Sequence, residues 1–209
     1  MTEYKCKVIT KPSNHRGRGV YATCAIKKGE VVTHYPVDAT HKTSKLSNGN
    51  TGIYGVDVKW KFKGDTTFLP DERYYICDEK RKYVYAPDPE RFDPEFCGHI
   101  MNDFISIPKK FIQFKPVSKN ELGTGYEYAD HAIYPPAIHQ YNKISYFFRN
   151  VERTRFTHVG KDRRLGFAMV ATRDIKKDEE LYFHYGYNYW FGQRIREYER
   201  DHFIDNKEN

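Results

Sequence analysis

Short apolar and polar alternations, broken by turns, run along most of the chain and predict a mainly β fold. Tyr4, Cys6 and Val8 alternate with Lys5 and Lys7, the period-two pattern of a strand with one buried face. Tyr54, Val56, Val58, Trp60 and Phe62 alternate strictly with Gly55, Asp57, Lys59 and Lys61, a stronger strand signal. Leu165 to Ala171 is almost continuously apolar, as in a strand covered on both faces. The run 141–148 is a weaker strand candidate. Helical spacing is best at the C-terminal end, where Phe191, Ile195, Tyr198 and His202/Phe203 recur between Arg194, Arg196, Glu197 and Glu199. Segments 43–52 and 87–94 are rich in turn residues, and 106–140 matches no regular element.

One stretch occurs twice. Residues 22–30 (Ala-Thr-Cys-Ala-Ile-Lys-Lys-Gly-Glu) match residues 171–179 (Ala-Thr-Arg-Asp-Ile-Lys-Lys-Asp-Glu). Each follows a strand that contains glycine, and each precedes another apolar strand. Two copies are too few for a solenoid; they predict two similar corners of one β fold, each turning an isoleucine inward.

Composition adds a large potential core and a basic balance. The 209 residues include 18 Tyr, 14 Phe and 2 Trp, enough aromatic surface for one domain with insertions. The formal charge of +7 favours acidic partners, yet no Lys/Arg block is dense enough to form a nucleic-acid patch alone. Cys6, Cys24, Cys77 and Cys97 form no CxxC pair, so no metal site is signalled. No secretory signal, membrane-spanning run or glycosylation sequon is present, and an intracellular setting is the expectation.

Three motifs carry candidate chemistry. Arg16-Gly17-Arg18-Gly19 places glycines where backbone could approach a ligand, although such a turn is more often only a turn. Gly98-His99-Ile100-Met101-Asn102-Asp103-Phe104 sets an amide in an apolar frame, and a buried amide must bond either backbone groups or a ligand. Glu179-Glu180-Leu181-Tyr182-Phe183-His184-Tyr185-Gly186 ends a strand in aromatics and a glycine. It is either ordinary core or a phenol aimed into a cleft.

In order along the chain, these pieces resemble the SET family of protein-lysine methyltransferases. The Gly-Arg-Gly turn, the first Ile-Lys-Lys corner, Tyr75-Ile76-Cys77-Asp78, Asn102, Asn150, the second corner and the Tyr185-Gly186 end follow the family's succession. The stretch 166–186 resembles the family's closing motif throughout, and Tyr189-Trp190 is similar to the aromatic end of small members without the cysteine-rich post-SET motif. Three positions depart: Asp103 stands for the family's histidine after the asparagine, His184 for the aspartate before Tyr-Gly, and Arg149-Asn150 for Pro-Asn.

The resemblance implies a SET-type β-clip: α+β with few helices, several small curved sheets and a knot-like C-terminal threading. It spans 1–209 as one domain, with insertions at 40–72 and 104–148, the latter shaping the substrate groove, and a C-terminal helix and tail at 191–209. It implies S-adenosylmethionine as cofactor, with Arg18, Gly19, Asn102, Asp103, Tyr185 and Trp190 as its contacts. His99 and Met101 are flanking candidates. Tyr185 would act at the reacting centre, Tyr75 would line the lysine channel, and Phe183 would limit how many methyl groups fit. A histone or nucleosome is the implied substrate, with nuclear or chromatin association and non-specific nucleic-acid contact through basic surface. Two other classes remain: a SET-like module that binds chromatin or protein without catalysis, and a β-rich nucleic-acid binder.

Overall fold

The computed structural model describes residues 7–42, 61–63, 76–77, 83–90, 92–119, 126–133, 135–159, 164–187, 189–190, 193–194 and 197. Tyr75, most of the expected 54–62 strand, most of segment 40–72 and most of the C-terminal 191–209 lie outside these residues. So do Tyr4 and Cys6; the first described strand begins at Val8. Two compact units are present. The first comprises Met1–Gly52, Val58–Asn102 and Arg149–Phe183; the second comprises Ile53–Asp57, Asp103–Phe148 and His184–Asn209.

In chain order the first unit holds β1 (Val8–Pro12), β2 (Arg18–Ala22), β3 (Val31–Pro36), β4 (Ala39–Lys42), β5 (Lys61–Phe62), β6 (Ile76–Cys77) and β7 (Tyr83–Ala86). The second unit holds β8 (Ile112–Lys119), β9 (Tyr126–Ile133) and α1 (Pro135–Phe148). The first unit then resumes with β10 (Val151–Val159), β11 (Arg164–Ala171) and β12 (Glu180–Leu181). The sheets are small and antiparallel, with strand orders β1-β2-β12, β10-β11-β3 and β5-β4-β7-β6 in the first unit and β8-β9 in the second. The architecture is mainly β, as the alternation predicts. β11 is the expected apolar strand, central in its sheet, with Phe167, Met169 and Ala171 buried.

The repeated stretch forms two corners that pair with each other. Ile26 and Ile175 exchange both backbone hydrogen bonds at 2.9 Å. Gly29 N–H donates to Ala171 O and Asp178 N–H to Ala22 O, while Ala22 N–H donates to Glu179 O and Ala171 N–H to Glu30 O. Each glutamate also caps its own turn: Glu30 accepts from Lys27 N–H at 2.7 Å and Glu179 from Lys176 N–H at 2.9 Å. The equivalent positions Gly29 (φ 87°) and Asp178 (φ 66°) are both left-handed. Glycine adopts that region freely, and aspartate is among the residues that tolerate it. Both isoleucines are buried in one apolar cluster with Val20, Met101, Val151 and Leu181.

A close approach sets the height of the asparagine stretch. A Cβ on Gly98 would lie 2.9 Å from Tyr35 N and from Met169 Cγ, so only glycine lets the 3-10 turn Gly98–Ile100 press onto β3. His99 and Met101 are consequently buried in the core.

In the second unit, two expectations are corrected. Residues 141–148, read as a strand, are the C-terminal part of α1, and 106–140, read as irregular, contains the β8–β9 hairpin and the start of that helix. The aromatic and β-branched residues of 141–148 suit a strand by local preference, and packing overrides it. Ala137, Tyr141 and Ser145 are the buried positions of α1, one helical turn apart. Pro135 and Pro136 stand at the start, where a helix needs no N–H.

Candidate active site

The first unit gathers its candidate residues around one buried carboxylate. Glu180 Oε2 accepts from the hydroxyls of Tyr21 (2.9 Å) and Tyr182 (3.0 Å), and Oε1 accepts from Asn102 Nδ2 at 3.2 Å. Burial first, and then the adjoining Glu180 charge, push both phenols above the usual tyrosine range, so they remain donors. Asn102 Nδ2 also donates to the carbonyls of Arg16 (3.1 Å) and Arg18 (3.0 Å), which ties the glycine-rich turn to the asparagine stretch. Among the described residues no donor reaches Asn102 Oδ1.

The turn itself is shaped mainly from within the protein. A Cβ on Gly19 would lie 2.2 Å from Glu180 Oε1, so this glycine makes room for the glutamate. Gly17 (φ 49°) has open space around it. The Arg18 side chain bonds Thr10 Oγ1 at 3.1 Å and lies over the Phe92 ring.

The segment that leads to Tyr185 is bonded to two distant parts of the first unit. Phe183 N–H donates to Asn102 O at 2.9 Å, and Tyr182 O accepts from the N–H groups of Asn150 and Val151 at 3.2 Å. Asn150 is fully buried and acts as a substitute peptide: Oδ1 accepts from Tyr182 N–H at 2.8 Å and Nδ2 donates to Glu180 O at 2.8 Å. The Phe183 side chain is half-buried against the core.

The second unit has its own buried carboxylate. Asp103 Oδ2 accepts from the Tyr141 hydroxyl and from Tyr185 N–H (3.1 Å), and Oδ1 accepts from Ser145 Oγ at 2.6 Å. Tyr141 Oη in turn accepts from Gly186 N–H at 3.0 Å. Burial, and next the Asp103 charge, drive the Tyr141 phenol far above its ordinary range. The Tyr185 ring stacks on Trp190 with centroids 5.9 Å apart and meets Tyr189 edge-on at 4.5 Å. Trp190 is buried in the apolar cluster of this unit with Ile107, Ile112, Ala137 and Tyr141.

The order of these pieces decides the family: the SET domain model matches residues 17–186. The chain belongs to the SET domain family. Similar solved structures include a candidate histone methyltransferase of Plasmodium falciparum, 13% identical, with a TM-score of 0.36 over 89% of this chain and 98% of that one. ATXR5 in complex with a mono-methylated histone H3.1 is 16% identical, with a TM-score of 0.41 over 87% and 57% of the two chains. ctPRC2 in an autoinhibited conformation bound to S-adenosylmethionine is 15% identical, with a TM-score of 0.40 over 92% and 17%. A search of curated proteins gave no match.

Within this SET domain, Arg18, Gly19, Asn102 and Phe183 belong to the first unit, and Asp103, Tyr185 and Trp190 to the second. Glu180, Tyr141 and Ser145 do not stand out in the sequence. The signal for the last two is the four-residue spacing of Ala137, Tyr141 and Ser145, which a strand reading hides. Glu180 is one of two consecutive glutamates, and only its contacts separate it from Glu179, whose carboxylate meets Arg173 at 2.6 Å.

Proposed function

We propose that this SET domain is an S-adenosylmethionine-dependent protein-lysine N-methyltransferase acting on a histone lysine. One observation supports it most: the N–H groups of Tyr185 and Gly186 are both held, by Asp103 and Tyr141, so the phenol assigned to the reacting centre stands on a fixed backbone. Such fixing matters because transfer to an amine depends on alignment of donor and acceptor.

The residues suit the cofactor. S-adenosylmethionine offers several donor groups, and Asn102 keeps Oδ1 available while Nδ2 holds the turn. Arg18, Gly19 and Asp103 would contribute backbone groups, since the Asp103 carboxylate is already committed and the Gly19 Cα adjoins Glu180. Trp190 would offer its indole to the adenine, with Tyr185 on one side of the ring. When bound, the cofactor supplies an electrophilic methyl on a sulfonium.

The protein's share is to bind, orient and desolvate. A lysine amine titrates near about 10.4 and must be neutral to attack. An apolar channel disfavours the ammonium and lowers that value, so no strong base is required. The Tyr185 hydroxyl would orient the amine, Tyr75 would line the channel, and Phe183 would limit the methyl count. Segment 104–148 would shape the groove for the substrate. The charge of +7 suits the acidic surface of a nucleosome and a chromatin location.

Asp103 and His184, which depart from the family pattern, favour a second reading: a SET-like module that binds chromatin or protein without catalysis. Calorimetric titration with S-adenosylmethionine separates the two. Saturable binding by wild type is expected; no heat of binding at millimolar cofactor would support the second reading.

A further inference from the structure

The two departures at 103 and 184 are reciprocal. The family pattern has histidine then aspartate; this chain has aspartate then histidine. In the second unit both side chains meet on one hydroxyl. Ser145 Oγ lies 2.6 Å from Asp103 Oδ1 and 2.8 Å from His184 Nδ1. A serine has one proton, and a carboxylate only accepts, so Ser145 donates to Asp103 and its oxygen accepts from His184 Nδ1–H. The bond chain therefore selects the tautomer with the proton on Nδ1. The imidazole is packed between Tyr141, stacked at 5.2 Å, and Tyr146, tilted at 4.2 Å.

We propose that Asp103, Ser145 and His184 form one exchanged acid–histidine pair that positions the Tyr185–Gly186 backbone, so that the two departures compensate each other. The proposal rests on the assignment of Tyr185 to the reacting centre. Asp103 and Ser145 are positioning residues: Asp103 acts on Tyr185 through its N–H and on Gly186 through the Tyr141 hydroxyl. His184 completes the donor count on the serine. Replacing His184 alone by aspartate would give Ser145 two acceptors for one proton and place like charges on one oxygen. Replacing Asp103 alone by histidine would leave Tyr141 and the Tyr185 N–H without their shared carboxylate.

A double-mutant cycle tests this. Asp103→His, His184→Asp and the double exchange are compared with wild type for kcat and KM in methyl transfer to a histone peptide, for thermal melting, and for the His184 tautomer by long-range nitrogen–proton NMR. Each single exchange should lower kcat between about 10- and 100-fold with a smaller change in KM, because a displaced phenol costs alignment. The double exchange should recover part of the melting-temperature loss, because Ser145 regains one donor and one acceptor. Its kcat should stay low, because Tyr141 and the Tyr185 N–H still lack their carboxylate. Wild-type His184 should show the Nδ1–H form. Ser145→Ala should abolish that tautomer preference and lower kcat with the fold retained. Melting-temperature losses that simply add in the double exchange, or an Nε2–H form in wild type, would overturn the proposal. Wild-type protein without any methyl transfer, but with coupled melting temperatures and the Nδ1–H form, would remove the methyltransferase reading and leave the exchanged pair standing.

Discussion

At the scale of single residues, buried side chains hold the backbone of the candidate site regions, Asn150 through its amide and Asp103 through its carboxylate. Asn150 makes its bonds where no water reaches, giving Tyr182 and Glu180 backbone partners that no strand neighbour supplies. Removing it strands those groups, so Asn150→Ala should cost about 2–4 kcal/mol, read by chemical denaturation. Phe183 carries a different expectation. Under the proposed methyltransferase reading, its ring lacks the hydroxyl that a tyrosine would direct into a lysine channel, and the extra room should permit more than one methyl. Mass spectrometry of the product should show multiply methylated lysine for wild type and a shift to monomethyl for Phe183→Tyr; identical profiles would remove Phe183 from that role. Asn102 was legible from its apolar frame, and in the structure its nitrogen serves the backbone, while among the described residues no donor reaches its oxygen.

At the scale of elements, sequence and structure agree where side-chain period and environment coincide. β11 reads correctly because a central strand is apolar on both faces. The paired corners read correctly because the same turn needs the same residues: an inward isoleucine, a capping glutamate and a left-handed position. That last requirement differs in strength between the copies. A methyl added to Gly29 would have nothing within 4 Å, so Gly29→Ala meets only backbone strain and should cost about 1–2 kcal/mol. Asp178→Gly should be close to neutral, since glycine relieves the strain at φ 66° while adding freedom to the unfolded chain. Denaturation midpoints of the two variants check this asymmetry. α1 is hidden in the sequence because its buried stripe is Ala137, Tyr141 and Ser145, of which two are polar and held by Asp103. A hydrophobicity pattern cannot register a face whose burial is satisfied by hydrogen bonds to a residue 38 positions away along the chain.

At the scale of the whole molecule, the mainly β class followed from alternation, and the SET family from motif order over residues 17–186. The division into two units was not legible. Among the described residues, the chain passes from the first to the second at Asn102–Asp103 and again at Phe183–His184, inside the two motifs that sequence presents as continuous. Motif reading therefore named the candidate site residues but not the internal partners that hold them, Glu180 in one unit and Tyr141 with Ser145 in the other. The central claim is that this SET domain transfers methyl groups to lysine through Tyr185. Radiolabelled S-adenosylmethionine with core histones and nucleosomes tests it most directly, with Tyr185→Phe as the control. The account predicts label on histone lysine with wild type and a loss of about 100-fold or more with the variant. Folded wild-type protein that binds the cofactor yet labels no histone, or a variant that labels as fast as wild type, would contradict it.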